Sequence, residues 1–540
     1  MIYVKWLRVV FASLFLVAIS AFFLDFNNCI PKEWNHLWHL FAHVQIVPAI
    51  LGFGAAVLIV WLLTSVLFGR VYCSVICPFG IMQDVFARVS KLFRGKNGKY
   101  GFRPEMSKTR YTILGAFLTA IFVSPLVVTI LDPYSNFGRV MVSVFRPILI
   151  QVNNILAGSV GKIGSVNILY HSNPYDFHAV VAAVIALIIV GGLSFFFGRR
   201  YCNTICPVGT LLGVLSTFSL FKIRMKSDCI GCGLCEKVCK GECIDGKNKF
   251  VDSSRCVACF NCLGACKRSS LVYAISTKPA TQKSLDIPKN QSAMVPVKVS
   301  TAAEPDRRSF MQWSVFTVFI PSIFSSIGAS RSAPAPEEGL PVGVSRVGYE
   351  KTAPIIPPGA KNLERFQRRC TGCHLCVAKC PAGIIRPSST ELGWSGFLQP
   401  VLKFDYDFCN YDCTICSQIC PSHALLPLSV DEKHLLQIGK VVFLQENCVV
   451  ETQQTNCGAC AEHCPTGAVR MVEHGPPEMN LTIPVTDPEL CVGCGACEKI
   501  CPVRPYKAIY VDGMLEHAKA KLGYDPDEKQ ETIELDDFGF

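Results

Sequence analysis

The sequence is poor in charged residues. Only 17% of its 540 residues are Asp, Glu, Lys or Arg, half are apolar, and the mean hydropathy is +0.34. Because about 25% of a typical soluble domain is charged, this composition excludes a wholly soluble chain and predicts membrane segments beside soluble domains. The net charge of +11 does not indicate nucleic-acid binding, since much of the basic excess lies in short loops beside apolar runs, where it sets membrane orientation.

The sequence also lacks a visible ligand set for molybdenum, copper or haem. Cys370 to His374 matches the C-x-x-C-H pattern of c-type haem attachment, but haem would leave Cys376 and Cys380 without a role. What the chain does contain is 30 cysteines, most of them spaced as metal ligands and not as the disulfides of a small secreted protein.

Apolar runs of membrane-spanning length predict a multi-pass helical part. The predicted runs are 9–24, 46–68, 111–131 with a kink at Pro125, and 179–197. With basic loops placed on the cytoplasmic side, the N-terminus, the loop 88–110 and residues 199–308 are cytoplasmic, and residues 25–45, 132–177 and 328–540 are outside. A further run, 140–156, is broken by Arg146 and Pro147, and we expect it to lie on the membrane surface or re-enter it.

A fifth predicted helix, 306–327, divides the cysteines into two sets. Arg307, Arg308 and Phe310 have the R-R-x-F spacing of a twin-arginine export signal and precede an apolar run. A pair of stop-transfer arginines beside an ordinary membrane helix is the alternative. We expect an uncleaved anchor, because Pro336 follows the Ala-Pro-Ala box at 333–335 and suits cleavage poorly.

An internal repeat lies within the helical part. FGRVYCSVICPFG at 68–80 and FGRRYCNTICPVG at 197–209 match at most positions, and each follows an apolar helix. This self-similarity predicts a duplicated two-helix unit. Each copy supplies a C-x-x-x-C-P segment, so Cys73, Cys77, Cys202 and Cys206 could together hold a metal or an extra cluster. Reduced or redox-active thiols are the alternative.

The next two cysteine groups have ferredoxin spacing, C-x2-C-x2-C-x3-C, which is specific for [4Fe–4S] clusters. Zinc sites use pairs of C-x-x-C and not triplets. The fourth cysteine of each group is expected to bind the other group's cluster. The predicted ligand sets are Cys229, Cys232, Cys235 and Cys266 for one cluster, and Cys256, Cys259, Cys262 and Cys239 for the other. Cys243 is interpreted as a core residue and not a ligand.

Four more groups, each ending in Cys-Pro, predict four further [4Fe–4S] clusters in the C-terminal domain. The groups are Cys370, Cys373, Cys376 and Cys380; Cys409, Cys413, Cys416 and Cys420; Cys448, Cys457, Cys460 and Cys464; Cys491, Cys494, Cys497 and Cys501. We predict nested pairing, in which Cys501 serves the 370–376 cluster and Cys464 serves the 409–416 cluster. Adjacent pairing is the alternative that spacing leaves open.

The predicted fold class is a membrane α-helical part, made of duplicated two-helix units and a fifth anchor helix, with α+β ferredoxin-like iron–sulfur domains on both sides. The boundaries are 1–225 for the membrane domain, 226–275 for the cytoplasmic two-cluster domain, 276–305 for a linker, 306–330 for the anchor, 331–354 for a linker, 355–512 for the periplasmic four-cluster domain and 513–540 for an acidic tail.

These motifs resemble two known families. The repeated C-x-x-x-C-P helices followed by two ferredoxin groups look like the NapH-type membrane polyferredoxin of periplasmic nitrate reductase systems. The twin-arginine segment followed by four Cys-Pro groups looks like the exported NapG type. Together they cover nearly the whole chain, as in a fusion. The resemblance implies an inner-membrane quinol dehydrogenase component or electron carrier of anaerobic respiration. Its six [4Fe–4S] clusters would pass electrons from menaquinol to a periplasmic reductase or cytochrome.

A quinol would need a proton acceptor. His36, His39 and His43 have helical spacing in the first outer loop, so they could share a face, and histidine accepts protons near neutral pH. An interfacial aromatic belt with incidental histidines is the alternative. The first half is also similar to membrane ferredoxins used in enzyme maturation. The alternative function is therefore a redox maturation factor, which supplies electrons for assembly of another enzyme's metal centre.

Overall fold

The computed structural model describes residues 2–27, 30, 35–94, 100–160, 162–163, 166–167, 176–275 and 348–521. The predicted anchor 306–330, the linker 276–305, most of the linker 331–354 and the tail from 522 lie outside the described residues. The described chain comprises a helical part (residues 2–216), a first module (221–275) and a second module (348–521).

The helical part is built from thirteen described helices and one π-helical turn. They are α1 (Ile2–Leu24), α2 (Asn35–His43), α3 (Ile46–Leu51), α4 (Ala55–Phe68), α5 (Tyr72–Val75), α6 (Pro78–Arg94), α7 (Ser107–Val123), α8 (Pro125–Leu131), α9 (Pro133–Val140), the π turn (Met141–Phe145), α10 (Arg146–Val160), α11 (Phe177–Phe197), α12 (Arg200–Thr204) and α13 (Pro207–Ser216). A short hairpin, β1 (Lys162–Ile163) and β2 (Val166–Asn167), lies between α10 and α11.

Three of these helical segments are long and apolar enough to cross a membrane: Tyr3–Leu24, Pro133–Gly158 and Phe177–Phe197. The predicted runs 9–24 and 179–197 fall within the first and third. The predicted run 111–131 is divided into α7 and α8 at Pro125, where the kink was expected. The prediction of one continuous helix over 46–68 is wrong, because the helix stops at Gly52 and a new one begins after Gly54.

The predicted break at Arg146 and Pro147 is also wrong. α9, the π turn and α10 form one continuous 26-residue helix, Pro133–Gly158. Proline lacks the N–H of the regular ladder, and the wider π turn directly before Arg146 accommodates that loss. Every residue of α9 is buried, whereas α10 exposes apolar side chains such as Val152 and Ile155. The continuous helix is long and apolar enough to cross a membrane, and its expected position at the membrane surface remains a prediction.

The first module is a small α+β unit. Its strands are β3 (Phe221–Met225), β4 (Ile244–Asp245), β5 (Phe250–Val251) and β6 (Leu271–Ile275), and its helices are α14 (Leu234–Lys237) and α15 (Asn261–Ala265). β3 pairs antiparallel with β6, and β4 with β5. The chain enters on β3 and leaves on β6, so both cysteine groups lie between these two strands.

The second module contains three two-stranded antiparallel sheets and seven short helices among its described residues. The helices are α16 (Leu363–Arg369), α17 (Leu375–Lys379), α18 (Ile415–Gln418), α19 (Val430–His434), α20 (Val449–Gln453), α21 (Ala459–Glu462) and α22 (Ala496–Ile500). The strands are β7 (Ile385–Pro387), β8 (Pro400–Leu402), β9 (Leu436–Phe443), β10 (Val469–His474), β11 (Leu481–Thr486) and β12 (Ile509–Lys519). β12 pairs with β9, and the two strands enclose the second pair of cysteine groups.

The two modules contact opposite ends of α1. Near its start, Arg8 forms an ion pair of 3.2 Å with Asp84, which also binds Lys240 of the first module. Just past its end, Asp25 forms a buried ion pair of 2.9 Å with Lys379 of the second module. Residues 8 and 25 are roughly 25 Å apart along a helix axis, at 1.5 Å per residue. The modules are therefore separated by about the thickness of a hydrocarbon layer.

The second module is pressed onto α9 without an intervening side chain. A Cβ atom added to Gly138 would lie 2.2 Å from the carbonyl oxygen of Cys373 and 3.0 Å from the ring of Phe23. Only a residue without a side chain permits this backbone approach. The apolar core of the helices continues into the module, where it includes Leu375 and Ile419.

We predict that Gly138→Ala weakens this interface. Overpacking a tight contact costs about 1–3 kcal/mol of stability, so the midpoint of urea unfolding, followed by cluster absorbance in detergent, should fall. Gly115→Ala is the matched control, since among the described residues no atom lies within 4 Å of its added Cβ. Equal midpoints for the two variants would contradict the close contact.

Candidate metal centres

The regularly spaced cysteine groups share one backbone conformation. The residues on both sides of the second cysteine have positive φ in all four groups: Gly231 and Gly233, Ala258 and Phe260, Gly372 and His374, Gly493 and Gly495. Left-handed backbone at a non-glycine residue costs energy, and three of these positions carry side chains. The repeated turn wraps each C-x2-C-x2-C segment around a common centre and starts the short helix that carries the third cysteine.

Cysteines in the second module pair between adjacent groups. Cys380 lines one cavity with Cys409, Cys413 and Cys416. Cys464 lines another with Cys491, Cys494 and Cys497. Cys420 lies close enough to interact electrostatically with Cys370, Cys373 and Cys376. Cys501 likewise lies close to the remaining group, which is Cys448, Cys457 and Cys460.

The nested pairing predicted above is therefore wrong. A fourth cysteine lies just after a short helix, α17 or α21, and that helix packs against the corresponding helix of the next group, α18 or α22. Neighbouring groups thus exchange ligands within each half of the module, as the two groups of an ordinary ferredoxin do.

In the first module, Cys239 lies with the second group, as predicted. Cys259 and Cys262 both interact electrostatically with Cys239 and Cys256. Cys229, Cys232 and Cys235 also lie close together. The assignment of Cys266 to that group remains a prediction.

Cys243 is buried, as predicted, but it is more than a filler. Its Sγ lies 3.5 Å from that of Cys239. The hydrogen bond between them lowers the pKa of the Cys239 thiol to about 7, against the opposing effect of burial. Cys243 therefore supports the thiolate form that a metal ligand requires.

These groups suit clusters better than single ions. Among the described residues, no three His, Cys, Asp or Glu side chains converge closely enough to hold one metal ion. The cysteines instead surround cavities, as the corners of a four-iron cluster require. His374 of the haem-like pattern is buried, and its ring Nε2 lies 2.9 Å from the carbonyl oxygen of Leu398. The cysteines of the same group lie near Cys420, as expected for ligands of one cluster.

The structure also brings the four repeat cysteines together in the core of the helical part. Cys73, Cys77, Cys202 and Cys206 are each at most 4% exposed and interact with one another. We call them the quartet. Gln83 donates to Cys202 Sγ at 3.1 Å, and the backbone N–H of Gly209 donates to Cys206 Sγ at 3.3 Å. Hydrogen bonds to sulfur of this kind stabilise thiolates.

Matching arginines of the two repeat copies cross over to the other copy. Arg70 donates to the carbonyl of Cys202 at 3.0 Å, and Arg199 donates to that of Cys73 at 2.6 Å. Both side chains are fully buried. The following C-P-x-G turns are equivalent too, since Gly80 and Gly209 would each place a Cβ 2.8 Å from the crossing arginine.

The two arginines differ in how their charge is balanced. Arg199 forms an ion pair of 2.9 Å with Asp84. Arg70 hydrogen-bonds to neutral groups of Asn203, Ser254 and Cys202, and no ion pair within the described part of the chain includes it. An unpaired buried cation is costly. A cluster held by four thiolates would supply the missing negative charge, so the residues present fit an iron–sulfur cluster.

Asp84 connects the quartet to the first module. It binds Arg8, Arg199 and Lys240 at 2.9–3.2 Å. Burial opposes its ionisation, but the nearby charges of Arg199, Lys240 and Arg8 hold its pKa well below the usual range. Lys240 follows the ligand Cys239 directly. A single ion-pair network therefore links the surroundings of the quartet to a ligand loop of the first module.

Family comparisons agree with these centres. A 4Fe-4S binding domain family matches twice, at residues 50–99 and 179–226, and so covers both quartet segments. Two 4Fe-4S dicluster domain families match residues 369–425 and 455–504, which are the adjacent pairs of groups.

Among relatives, the chain is 29% identical over 181 residues to the ferredoxin-type protein NapG of Escherichia coli, covering 32% of this chain and 74% of NapG. It is 28% identical over 211 residues to the methylamine utilization ferredoxin-type protein MauM of Methylobacillus flagellatus, covering 37% and 82%. The chain is homologous to ferredoxin-type electron-transport proteins.

Coverage varies among these relatives. An uncharacterized protein of Methanocaldococcus jannaschii is 36% identical over 96 residues, which is 18% of this chain and 37% of that relative. No solved structure matches the chain. The NapG likeness is established, whereas the NapH likeness of the membrane half remains a prediction.

The predicted histidine patch is only partly described. The side chain of His36 lies outside the described residues, and His39 lies 6.2 Å from Phe22 between ring centres. His43 packs against His423 of the second module at 5.5 Å. Burial, together with the charges of His423 and His39, lowers the pKa of His43 to about 4. Sequence reasoning missed His423, because it lies 380 residues away in a separate domain, although both histidines belong to the same predicted compartment.

We predict that cysteine substitutions will perturb EPR signals according to adjacent pairing. Cys370→Ser and Cys420→Ser should alter the same signal, because both residues serve one cluster, and Cys501→Ser should alter another. A redox titration of the purified variants, followed by EPR, measures which cluster signal each substitution alters. If Cys370→Ser and Cys501→Ser altered the same signal, the nested arrangement would be correct.

We also predict that Cys243→Ala lowers the reduction potential of the Cys239, Cys256, Cys259 and Cys262 cluster. Hydrogen bonds to ligand sulfur stabilise the more negative reduced state, and alanine removes the donor. Potentiometric EPR checks the shift. Cys243→Ser keeps a donor and should stay closer to the unaltered protein; identical potentials in all three proteins would exclude this role.

Proposed function

We propose that this protein relays single electrons across the bacterial inner membrane. Menaquinol is the donor, and a periplasmic reductase or cytochrome is the acceptor. The observation that carries this proposal is the arrangement along α1: one iron–sulfur module at each end, with the buried quartet between them. The homology to ferredoxin-type electron-transport proteins supports the electron-transfer part.

The clusters, when bound, would supply one-electron chemistry. The protein's residues set positions and charge. Ser254 in the ligand loop of the first module accepts from Arg70, which also contacts the quartet. On the other side, α9 packs on α6 and α11, and Gly138 of α9 touches Cys373 of the second module. A single side chain, Arg70, therefore bridges the first module and the quartet, while α9 and the helices it packs on lie between the quartet and the second module.

The proposed orientation follows from charge and export signals. Basic residues of the loop 88–110 favour the cytoplasmic side for the end of α1 that contacts the first module. The twin-arginine-like segment at 307–310 supports export of the residues that follow. Both features are compatible with the contacts at the two ends of α1, and they support a periplasmic second module. Menaquinol and membrane lipid are the non-protein partners.

We predict that the quartet is needed for transfer between the modules. Cys73→Ser with Cys202→Ser should remove about four irons and leave about 24 in the six ferredoxin-type sites, at four per site. In proteoliposomes with dithionite outside and cytochrome c trapped inside, this double variant should reduce cytochrome c no faster than protein-free vesicles. Gly115→Ala, whose added Cβ has no described atom within 4 Å, is the control and should transfer normally.

Unchanged cytochrome c reduction by the double variant, with its iron lost as expected, would contradict a relay through the quartet. If the unaltered protein itself failed to reduce the trapped cytochrome, transmembrane relay as a whole would be excluded, and the maturation function would be favoured.

A further inference from the structure

A cavity lies where the helical part meets the second module. It is bordered by the end of α1, by the π turn and α10, by the start of α11 and by residues 377–387. Its volume is about 160 Å³, and it opens to solvent. This volume admits a bicyclic ring.

The lining of the cavity combines apolar and charged groups. The membrane-length helices contribute apolar side chains, including Val142, Ile150 and Val180. Arg146 lies between Val142 and Ile150 on one helix. Charged groups come from both sides of the interface: Asp25, Arg146, Asp176, Lys379 and Arg386. An amphipathic ligand with an apolar ring and polar oxygens matches this mixed lining, whereas a fully soluble ion does not.

The two arginines have spare donors. Within the described part of the chain, Nε of Arg146 and both Nε and Nη2 of Arg386 are buried without a hydrogen-bond partner. Arg386 is only 9% exposed, and its guanidinium stacks on Tyr406 at 4.6 Å. Buried donors without partners are costly, so a bound ligand with acceptor oxygens would stabilise this lining.

One wall of the cavity is also the wall of a cluster site. Cys380, Pro381, Ala382 and Ile385 line both this cavity and the cavity surrounded by Cys409, Cys413 and Cys416. A ring bound here would be separated from that cluster by a single strip of chain that itself carries a ligand.

We propose that this cavity binds the head group of menaquinol and delivers its electrons to the cluster held by Cys380. This inference rests on the proposed function and adds its entry site. Oxidation of the quinol to quinone breaks two O–H bonds. A cluster bound at Cys380 would accept the two electrons one at a time, and the two protons pass in turn to the carboxylate of Asp176 and on to water. Arg146 and Arg386 hold the ring oxygens.

Binding of heptylhydroxyquinoline N-oxide, a fluorescent quinol analogue, to the full chain in detergent tests the site without relying on turnover. We expect Arg386→Gln and Ile150→Trp each to weaken quenching of the analogue about tenfold, by loss of a charged donor and by filling of the cavity. Iron content and EPR signals should be unchanged. Arg368→Gln, an exposed arginine of the same module paired with Glu364, is the matched control and should bind normally.

Three results would overturn the proposal. Normal binding by both cavity variants, with loss in His43→Asn, would move the head group to the histidine patch. Normal binding together with loss of tightly bound phospholipid phosphorus would make the cavity a lipid site. Absence of quenching by the unaltered protein, with no reduction of its clusters by menaquinol, would remove the quinol from the proposed function itself.

Discussion

The structure depends on buried charge that is balanced across the two repeat copies. Arg70 and Arg199 are fully buried, and each donates a hydrogen bond to the backbone carbonyl of a cysteine in the opposite copy. Moving an ion from water into a protein interior costs several kcal/mol unless an opposite charge accompanies it. Asp84 provides that charge for Arg199. For Arg70 the candidate is a cluster on the quartet, so cluster binding and the folding of the helical part are expected to stabilise each other.

A relay of this kind also requires rigid spacing, and the interface of the second module provides it. The contact between Gly138 and Cys373 leaves no room for a side chain, and the Asp25–Lys379 pair is nearly excluded from solvent. The core of the helices includes Leu375, so the ligand loop is part of the same packed interior. The first cluster of the module is thereby fixed to the helices and is not carried by a mobile domain.

The sequence was sufficient for features set by local spacing. The cysteine triplets, the burial of Cys243 and the helices around 9–24 and 179–197 all follow from short-range pattern, and the structure agrees with them. The nested pairing failed because the choice of a fourth ligand depends on which short helices pack together, and spacing is the same for either arrangement. The break at Pro147 failed because a π turn preserves the helix. His423 and the cavity depend on contacts between distant segments, which no local pattern encodes.

Adjacent pairing gives the proposed array a defined order. The cluster with Cys373 lies against the helices, and the one with Cys380 borders the cavity, so both clusters of the first dicluster half face the membrane part. The second half, 448–501, is farther along the chain and contacts the first half where the backbone N–H of Cys409 donates to the carbonyl of Cys494. At the opposite end, Cys232 is the exposed cysteine among those described. An electron entering at the cavity therefore meets a branch: outward through the second half, or inward through the quartet toward a solvent-facing cluster. The relative potentials of the quartet and the 448–501 half decide which branch is used.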